Sequence, residues 1–405
     1  MTSRPVRSSV CELAGLPKLQ HVRVAGRIVA LHDAGFTLQD DTGWVRVAWL
    51  APPPPLGAIA QVCGIRQGDE LKPVEPVEVL TDGSDRFTRA DSEWGHLIGL
   101  RLANLRKRQQ LKRIVQRYFD TAGLLEVDTP AIVPCPGLDV HLDALEVSGM
   151  RAGRRWLHTS PEYQMKRLLT TTVPGIYQLG KAFRRGEQGQ LHEPEFTMLE
   201  WYRSFAGADE VMNDTEQLVA SAARELTGAL IIPGAGGHVD VTPPWDRISV
   251  EQAFDRFAGV ALADVLPDED KYFQILAERI EPQLGRGRAL FLTDYPARMA
   301  SLARLSPLDP RYAQRFEAYV DGVELCNGFS ELTDTVEQRV RFERDRSERA
   351  QLGRTVYPID EYFMGALEEG IPPSGGNALG FDRLLMLLVG ARHIDEVIAL
   401  PSSRM

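Results

Sequence analysis

The sequence predicts an α+β protein in which a small β-barrel precedes a larger domain with an antiparallel sheet flanked by helices. Three observations support that fold class. Short apolar or alternating runs separated by turn residues fill the chain from about residue 22 to residue 80. Two later stretches, Lys181–Arg203 and Arg315–Asp334, each have strand-like runs on both sides of a polar turn. Apolar residues at helical spacing occur before, between and after those stretches.

The composition is that of an ordinary globular protein with two or three domains, with 405 residues of which 43% are hydrophobic and 25% charged. The net charge of −10 argues against a surface that coats nucleic acid throughout. No apolar run is long enough for a signal peptide or a membrane span, so we expect no membrane association. The cysteines lack CxxC spacing, which predicts neither a zinc site nor a disulfide framework and favours the reducing cytoplasm; they are Cys11, Cys63, Cys135 and Cys326.

The first 85 residues predict a barrel of the oligonucleotide-binding type, because about five short strands fit into about sixty residues. Such barrels bind single strands through exposed aromatic and basic side chains. The candidates here are Phe36, Trp44, Trp49, Arg23, Arg27, Arg46 and Arg66. The acidic content is comparable, so nucleic-acid binding and a purely structural or packing barrel both stay open. A linker is predicted at 86–100 and a catalytic domain at 101–405.

The stretch Lys181–Arg203 predicts an antiparallel hairpin whose outgoing strand has two distinct faces. Phe196, Met198, Glu200 and Tyr202 share one face, and Arg184 lies beside them on the incoming strand. An aromatic ring, a cation, a carboxylate and a phenol on one surface suit a ligand with an anionic nucleotide end and a cationic end. A strand whose charges are merely solvated is the alternative.

The second hairpin turns at Asp321-Gly322, a strong two-residue turn sequence. That turn places Glu317 opposite Cys326 and puts Glu317 and Glu324 diagonally on one sheet face. Two carboxylates that converge in this way favour Mg²⁺ carrying phosphate oxygens, whereas two solvated glutamates are the alternative.

A third stretch, Ser374 to Arg383 and beyond, is a glycine-rich strand that runs into an apolar helix. Glycines permit close backbone approach, and both the helix start and Arg383 favour an anion. The sequence is not a Walker P-loop, since GxxxxGK[ST] is absent. Each stretch alone is weak evidence for a functional site, and the three stretches together are strong evidence.

The run Trp156–Leu169 predicts a strand leading into a helix that begins near Pro161. Glu162 then lies in the first turn, near the positive end of the helix dipole. A capping role is the simplest interpretation of this carboxylate.

These stretches resemble a class II aminoacyl-tRNA synthetase core of the lysyl subclass. FRRGEQGQLHEPEFTMLEWY resembles motif 2, GNALGFDRLLML motif 3, ELCNGFSELTD the lysyl-family segment between them, and LLEVDTP the dimer-forming motif 1. The resemblance covers about Leu102 to the end of the sequence. TSPEYQMKRLL and HEPEFTMLEWYR look most like the paralogues that ligate lysine or (R)-β-lysine to elongation factor P. The resemblance therefore implies an ATP- and Mg²⁺-dependent ligase that acts as a homodimer.

The resemblance also implies residue roles. Arg184 would hold the α-phosphate and the substrate carboxylate, Arg383 the terminal phosphate, and Phe196 would stack on adenine. Glu317 and Glu324 would hold Mg²⁺, and the remaining ATP-site assignments are Glu187, His192 and Gly380. The substrate ammonium would meet Glu200, Tyr202 and Glu331, and its other groups Glu162, Phe329 and Asn327. Ala378 stands where lysyl-tRNA synthetases carry glycine and the protein-modifying paralogues carry alanine.

Several residues depart from the family's motif 2. Arg185 and Gly186 replace the usual Asn and Glu, with Glu187 one position late. Gln190 and Leu191 stand where a loop arginine is expected, and Glu193 replaces an Asn. The paralogues also typically lack an N-terminal barrel.

Three functions follow. The first is ATP-dependent activation of lysine or (R)-β-lysine and its transfer to a lysine of elongation factor P. The second is charging of tRNA, which the barrel and the basic helix around 106–117 keep open. The third is a non-catalytic binding protein, whose only support is the altered motif 2 loop. No side chain needs to act as nucleophile, because the amino acid's own carboxylate attacks ATP.

Overall fold

The computed structural model describes residues 7–17, 19–151, 153–234 and 237–405. The chain divides into two compact units, Met1–Ala103 and Asn104–Met405. The segment predicted as a linker holds a short helix, α1 (Glu93–Leu97), and the first unit extends a few residues past it. The boundaries at 85 and 100 stay predictions.

In the part of the first unit that the structure describes, six strands form one sheet. Five of them close a barrel in the order β1-β2-β3-β5-β4, with β4 pairing back to β1, and β6 adds to β4. β3 and β5 pair in parallel, while the other pairs are antiparallel. This closure confirms the predicted barrel. The strands are β1 His21–His32, β2 Gly35–Gln39, β3 Trp44–Ala48, β4 Ile59–Gln67, β5 Glu70–Pro73 and β6 Glu78–Thr81.

Three of the seven candidate nucleic-acid contacts in the barrel have other roles. Phe36 is fully buried in the barrel core, so its prediction as a base-stacking residue is wrong. Arg27 donates to the carbonyl of Gly57 at 2.7 Å, and Arg66 donates to backbone carbonyls of the N-terminal segment. Trp44 and Arg46 have exposed side chains. The barrel surface available to single-stranded nucleic acid is therefore smaller than the sequence predicts.

The second unit is organised by an eight-stranded sheet in the order β15-β16-β17-β18-β19-β12-β11-β7. Its pairs are antiparallel except the outermost two, β15–β16 and β11–β7. Two small sheets accompany it, β8-β10-β9 and β13-β14. The strands are β7 Leu125–Glu126, β8 Ile132–Val133, β9 Glu146–Val147, β10 Arg155–Leu157, β11 Gly175–Phe183, β12 Glu195–Ser204, β13 Ile231–Gly234, β14 Gly237–Asp240, β15 Asp246–Ser249, β16 Leu290–Pro296, β17 Tyr312–Val320, β18 Val323–Ser330 and β19 Ser374–Gly380.

Helices cover one face of the large sheet. Residues of α2, α4 and α10 pack against inward residues such as Tyr177, Leu199 and Trp201, and the Phe119 ring stacks 4.9 Å from that of Tyr177. Alternation along β12 sends Phe196, Met198, Glu200 and Tyr202 to the opposite face, as predicted. The helices are α2 Leu100–Thr121, α3 Glu162–Leu168, α4 Ala208–Thr227, α5 Val250–Ala253, α6 Leu262–Val265, α7 Glu269–Ile275, α8 Thr335–Gln351, α9 Glu361–Glu369 and α10 Phe381–Val389. Among the described residues no helix is long and apolar enough to cross a membrane.

Candidate active site

The free face of the large sheet borders a cavity of about 320 Å³. All eight residues predicted for the ATP site line it, together with two of the predicted substrate residues. The ten are Arg184, Glu187, His192, Phe196, Glu317, Glu324, Asn327, Ala378, Gly380 and Arg383. Residues far apart in sequence meet here because β11, β12, β19, β18 and β17 are consecutive neighbours in the sheet.

The register of these strands aligns the site-facing residues in rows. Phe196 pairs with Ala182 on β11, and Met198 pairs with Gly380 on β19. Ala378 stands between Glu200 on one side and Asn327 on the other. The small residues of β11 and β19 keep this part of the sheet face open.

Arg184 lies just beyond the end of β11, with its guanidinium 5.1 Å from the centroid of the Phe196 ring. Its terminal nitrogen is 3.6 Å from the Glu187 carboxylate. The Arg184 Nε is buried and has no hydrogen-bond acceptor among the described residues. A buried donor without an acceptor is costly, so this group is suited to an anionic ligand in the cavity.

Arg383, in the first turn of α10, connects three parts of the cavity wall. It donates to the Glu324 backbone carbonyl at 2.8 Å and approaches the Glu324 carboxylate at 3.3 Å. It also lies 2.6 Å from the His192 Nε2. Burial, and then the Arg383 charge, lower the pKa of His192, so the neutral imidazole accepts this bond.

The second hairpin contains a β-bulge that the sequence prediction missed. The Asp321-Gly322 turn is present, and Tyr319 pairs with Glu324 as predicted. The bulge at Leu325 then shifts the register, so that Glu317 pairs with Asn327 and not with Cys326. The prediction of Cys326 opposite Glu317 is therefore wrong. Glu317, Glu324 and Asn327 all line the cavity because of that shift.

The two carboxylates of this hairpin suit a divalent cation by their chemistry. Glu317 accepts from Arg315 at 2.7 Å and from the Tyr319 hydroxyl at 2.8 Å, while Glu324 approaches Arg383. Burial, partly offset by Arg315, raises the pKa of Glu317, and the neighbouring Glu324 charge raises it further. Two acidic oxygen donors facing one cavity fit Mg²⁺ bound together with phosphate.

A buried acidic cluster lies further along the same strands. Glu200 and Glu331 are 1% and 2% exposed, and Glu200 accepts from the Tyr202 hydroxyl at 2.5 Å and from Ser160 at 2.7 Å. Burial, and then the charge of Glu162, raise the pKa of Glu200 to about 7. Burial, partly offset by Lys166, raises the pKa of Glu331 to about 8. Two acids in such surroundings are suited to bind a cationic group.

Gly376 on β19 leaves the space that this cluster occupies. It pairs with Tyr202 on β12 and with Phe329 on β18. A Cβ at this position would lie 2.2 Å from a Glu331 carboxylate oxygen and 2.4 Å from the Tyr202 ring. The glycine is therefore required by close side-chain approach.

Sequence reasoning missed Lys166, which lies inside the acidic cluster. Its ammonium is 2.6 Å from the Glu162 carboxylate and also contacts Glu331. Glu162, expected to cap a helix or contact substrate, is thus held by a residue of its own helix. The four-residue spacing of Glu162 and Lys166 on one helix face was visible in the sequence, but not the distant partner Glu331.

A family profile described as tRNA synthetases class II (D, K and N) matches residues 100–404. The chain belongs to the class II aminoacyl-tRNA synthetase family. Among curated relatives, the elongation factor P–(R)-β-lysine ligase of Edwardsiella ictaluri is 43% identical over 312 residues, which are 75% of this chain and 96% of the relative. The corresponding ligases of Proteus mirabilis and Photorhabdus laumondii are 40% and 42% identical, over 96% and 94% of their lengths. These relatives are ligases.

The barrel distinguishes this synthetase-family chain from those relatives. The family match begins at residue 100, after the barrel strands. The alignment with the Edwardsiella ligase covers 96% of that relative, so too little of it remains for a second domain of this size. The barrel is therefore an addition to a ligase-sized catalytic unit.

The unusual motif 2 loop of this family member is tied to the segment 392–402. Glu193, in place of the family's Asn, is 5% exposed and accepts from the Ser402 backbone amide at 3.0 Å. Gln190 donates to the Arg392 carbonyl at 2.8 Å, and the Ile394 amide donates to the Gln190 carbonyl at 2.9 Å. Ile394 itself lines the cavity. The loop residues that differ from the family pattern, Gln190 and Glu193, therefore make local contacts with the segment 392–402.

Proposed function

We propose that this protein activates lysine or (R)-β-lysine with ATP as an aminoacyl-adenylate and transfers the aminoacyl group to a lysine of elongation factor P. The observation that carries the proposal is the buried cluster of Glu200, Glu331 and Tyr202 on the same sheet face as a cavity lined by Arg184 and Arg383. One part suits a side-chain ammonium and the other suits phosphates. The names of the relatives supply the acceptor and (R)-β-lysine, and lysine comes from the resemblance to the lysyl subclass.

In the first step a carboxylate oxygen of the amino acid attacks the α-phosphorus, and the bond from that phosphorus to the leaving pyrophosphate breaks. Arg184 would hold the carboxylate and the α-phosphate together, and Arg383 would neutralise the terminal phosphate. Phe196 offers a flat surface for adenine. Mg²⁺ bound by Glu317 and Glu324 would supply further neutralisation of phosphate charge.

In the second step the acceptor amine attacks the carbonyl carbon of the adenylate. A C–N bond forms, the C–O bond to AMP breaks, and the amine loses a proton. This step requires no enzyme nucleophile, so alignment and charge neutralisation account for the chemistry.

Selectivity would come from desolvated carboxylates. A neutral side chain of similar length would leave Glu200 buried with only the Ser160 and Tyr202 hydroxyls as partners and without a cation, which is far more costly than losing an ordinary contact. Ala378, which pairs with Glu200 and Asn327, lines the cavity beside them.

A second candidate function, charging of tRNA, is favoured by one observation, the closed barrel of the oligonucleotide-binding type. Three of the seven candidate contacts of that barrel are unavailable, since Arg27 and Arg66 are engaged and Phe36 is buried. Transfer to elongation factor P is therefore the preferred proposal.

Amino-acid-dependent ATP–pyrophosphate exchange tests activation directly. We expect exchange with lysine or β-lysine and none with norleucine, which has the carbon chain of lysine without the side-chain ammonium. Arg383→Ala is expected to reduce exchange by about 100-fold or more, because a charge-assisted phosphate contact is lost. Arg256→Ala, an exposed arginine stacked on Phe257, is the matched control and should exchange like wild type. Absence of exchange with every amino acid would contradict the proposal and favour the non-catalytic hypothesis.

A further inference from the structure

Lys166 is the buried cation of the acidic cluster. It lies on α3 with 2% of its surface exposed. Its ammonium bonds to Glu162 and Glu331 and lies 5.0 Å from the centroid of the Phe329 ring and 5.9 Å from that of Tyr202. Each of these four partners is a residue predicted to contact the substrate, whereas Lys166 itself has no role in the mechanism above.

The surroundings keep this ammonium charged. Burial alone would lower the pKa of Lys166, but the charges of Glu162 and Glu331 outweigh it, so the pKa is raised. Lys166 is therefore a fixed positive charge held between two carboxylates. The same ion pair fixes the positions of both carboxylates, since neither can leave without exposing a buried charge.

When its carboxyl groups are all ionised, the cluster carries an excess of negative charge. With all groups ionised, the three carboxylates of Glu162, Glu200 and Glu331 against the one ammonium of Lys166 give a net charge of −2. Tyr202 adds no charge, because burial and the nearby carboxylates raise its pKa well above the usual value. Asp139, on the loop before β9, places one more negative charge near Glu162. A diamino acid carries two ammonium groups, which offset most of this negative charge.

We propose that Lys166 is a positioning residue that sets substrate specificity. It holds Glu162 and Glu331 in place, and its positive charge reduces the negative charge of the cluster to one that a diamino acid can offset. The inference rests on the proposed lysine-type substrate and adds a residue that meets the substrate only through its carboxylate partners. Loss of the Lys166 charge raises the pKa values of Glu162 and Glu331, because their mutual repulsion is no longer offset. The substrate ammonium then competes with protons for the same oxygens.

Arg341 provides a matched control for a purely structural ion pair. It is likewise a buried cation, 7% exposed, and it pairs with the carboxylate four residues before it, Glu337. Its other partners are the backbone carbonyls of Ser301 and Ala303, at 2.8 and 2.7 Å, so it does not contact the acidic cluster.

The test is calorimetric binding of lysine and of (R)-β-lysine from about pH 6 to about pH 9, with thermal unfolding of each variant measured alongside. Lys166→Met should weaken binding about 10-fold near neutral pH. The increase of affinity with pH should occur about one pH unit higher than in wild type. Binding to this variant should also release more protons than binding to wild type. The difference in affinity between the variant and wild type should become smaller at high pH. Lys166→Arg, which keeps the charge, should restore most of the wild-type profile.

Arg341→Met should lower the melting temperature without moving the pH profile of binding. A Lys166→Met variant whose profile coincides with that of wild type, or that loses only stability as Arg341→Met does, would overturn the specificity role. Wild-type protein that binds neither diamino acid would overturn this inference and the proposed function together. Binding without pyrophosphate exchange would count against the proposed function alone.

Discussion

Glu200 and Glu331 are acids that are partly protonated near neutral pH in the ligand-free pocket, since their pKa values lie at about 7 and about 8. A substrate ammonium binds the ionised carboxylates. Affinity for lysine should therefore rise as pH increases through this range, with protons released on binding. The expected result is a lysine KM that falls severalfold between about pH 6 and about pH 8 in exchange assays, while the ATP KM changes less. A lysine KM that is flat over this range would contradict the assignment of these acids to the ammonium site.

The same carboxylates affect the stability of the ligand-free fold with a definite sign. Their pKa values are raised above those of the unfolded chain, so the folded state binds more protons than the unfolded state between the ordinary glutamate pKa and about 8. Stability of the free protein should decline as pH rises through that window. Saturating lysine should reduce the decline, and thermal unfolding at several pH values measures both effects.

Gly376 gives a steric test of the same pocket. Gly376→Ala places a methyl group 2.2 Å from the Glu331 carboxylate, which must move, so we expect the lysine KM to rise about 10-fold or more. Gly365→Ala is the control, because nothing lies within 4 Å of a Cβ at that helical position. Equal effects of the two substitutions on the lysine KM would rule out the close packing around Gly376 as the cause.

At the scale of elements, the hairpin of β17 and β18 shows what the sequence could and could not predict. Asp321 and Gly322 both have positive φ, 55° and 76°, as the turn sequence indicated. The bulge escaped prediction because strict alternation was assumed. The consecutive residues Leu325 and Cys326 both belong to the core. Glu324 and Asn327, three residues apart, both line the cavity, although strict alternation would place them on opposite faces of the sheet. The three-residue spacing of these polar side chains was the available sign of a bulge.

The motif 2 loop yields an element-scale prediction. Glu193→Ala removes the buried acceptor of the Ser402 amide and loosens the contact between the loop and the segment 392–402. The loss of one buried hydrogen bond costs about 1–3 kcal/mol, so the ATP KM should rise about 10-fold in exchange assays. The lysine KM should change little, because the hydrogen bonds and ion pairs of the acidic cluster among the described residues do not include this loop. A selective effect on lysine would show that the loop acts in another way.

At the scale of the whole molecule, the fold class and the barrel were predicted from the spacing of strands and turns. The cavity-lining residues were predicted from two hairpins, one glycine-rich stretch and the resemblance to class II synthetases. Lys166 and Ser160 were not predictable, because their partners Glu331 and Glu200 are far away in sequence. The tie between Glu193 and Ser402 joins residues more than two hundred positions apart. Local patterns predict elements and faces, whereas long-range polar pairs depend on how the elements pack.

The assembly is a further whole-molecule prediction. Leu125, in the segment that resembles the dimer-forming motif 1, and Ile132, two residues after that segment, are 57% and 42% exposed in the single chain. We expect a homodimer in solution, with a mass by light scattering of twice the 45.1 kDa chain. Leu125→Asp with Ile132→Asp should shift the mass towards the monomer, while Leu308→Asp, at a 96% exposed position elsewhere, should not. A monomeric wild-type protein would contradict this prediction.

The measurement that most directly tests the central proposal is transfer of labelled lysine or (R)-β-lysine, in the presence of ATP, to purified elongation factor P and to total tRNA in parallel. We predict label on elongation factor P, lost when its acceptor lysine is changed to arginine, and a higher rate with one of the two amino acids. Glu331→Gln should reduce transfer about 100-fold or more, because a buried charge partner of the substrate is removed. Label that accumulates on tRNA and not on elongation factor P would contradict the proposed function and identify the protein as a tRNA-charging enzyme.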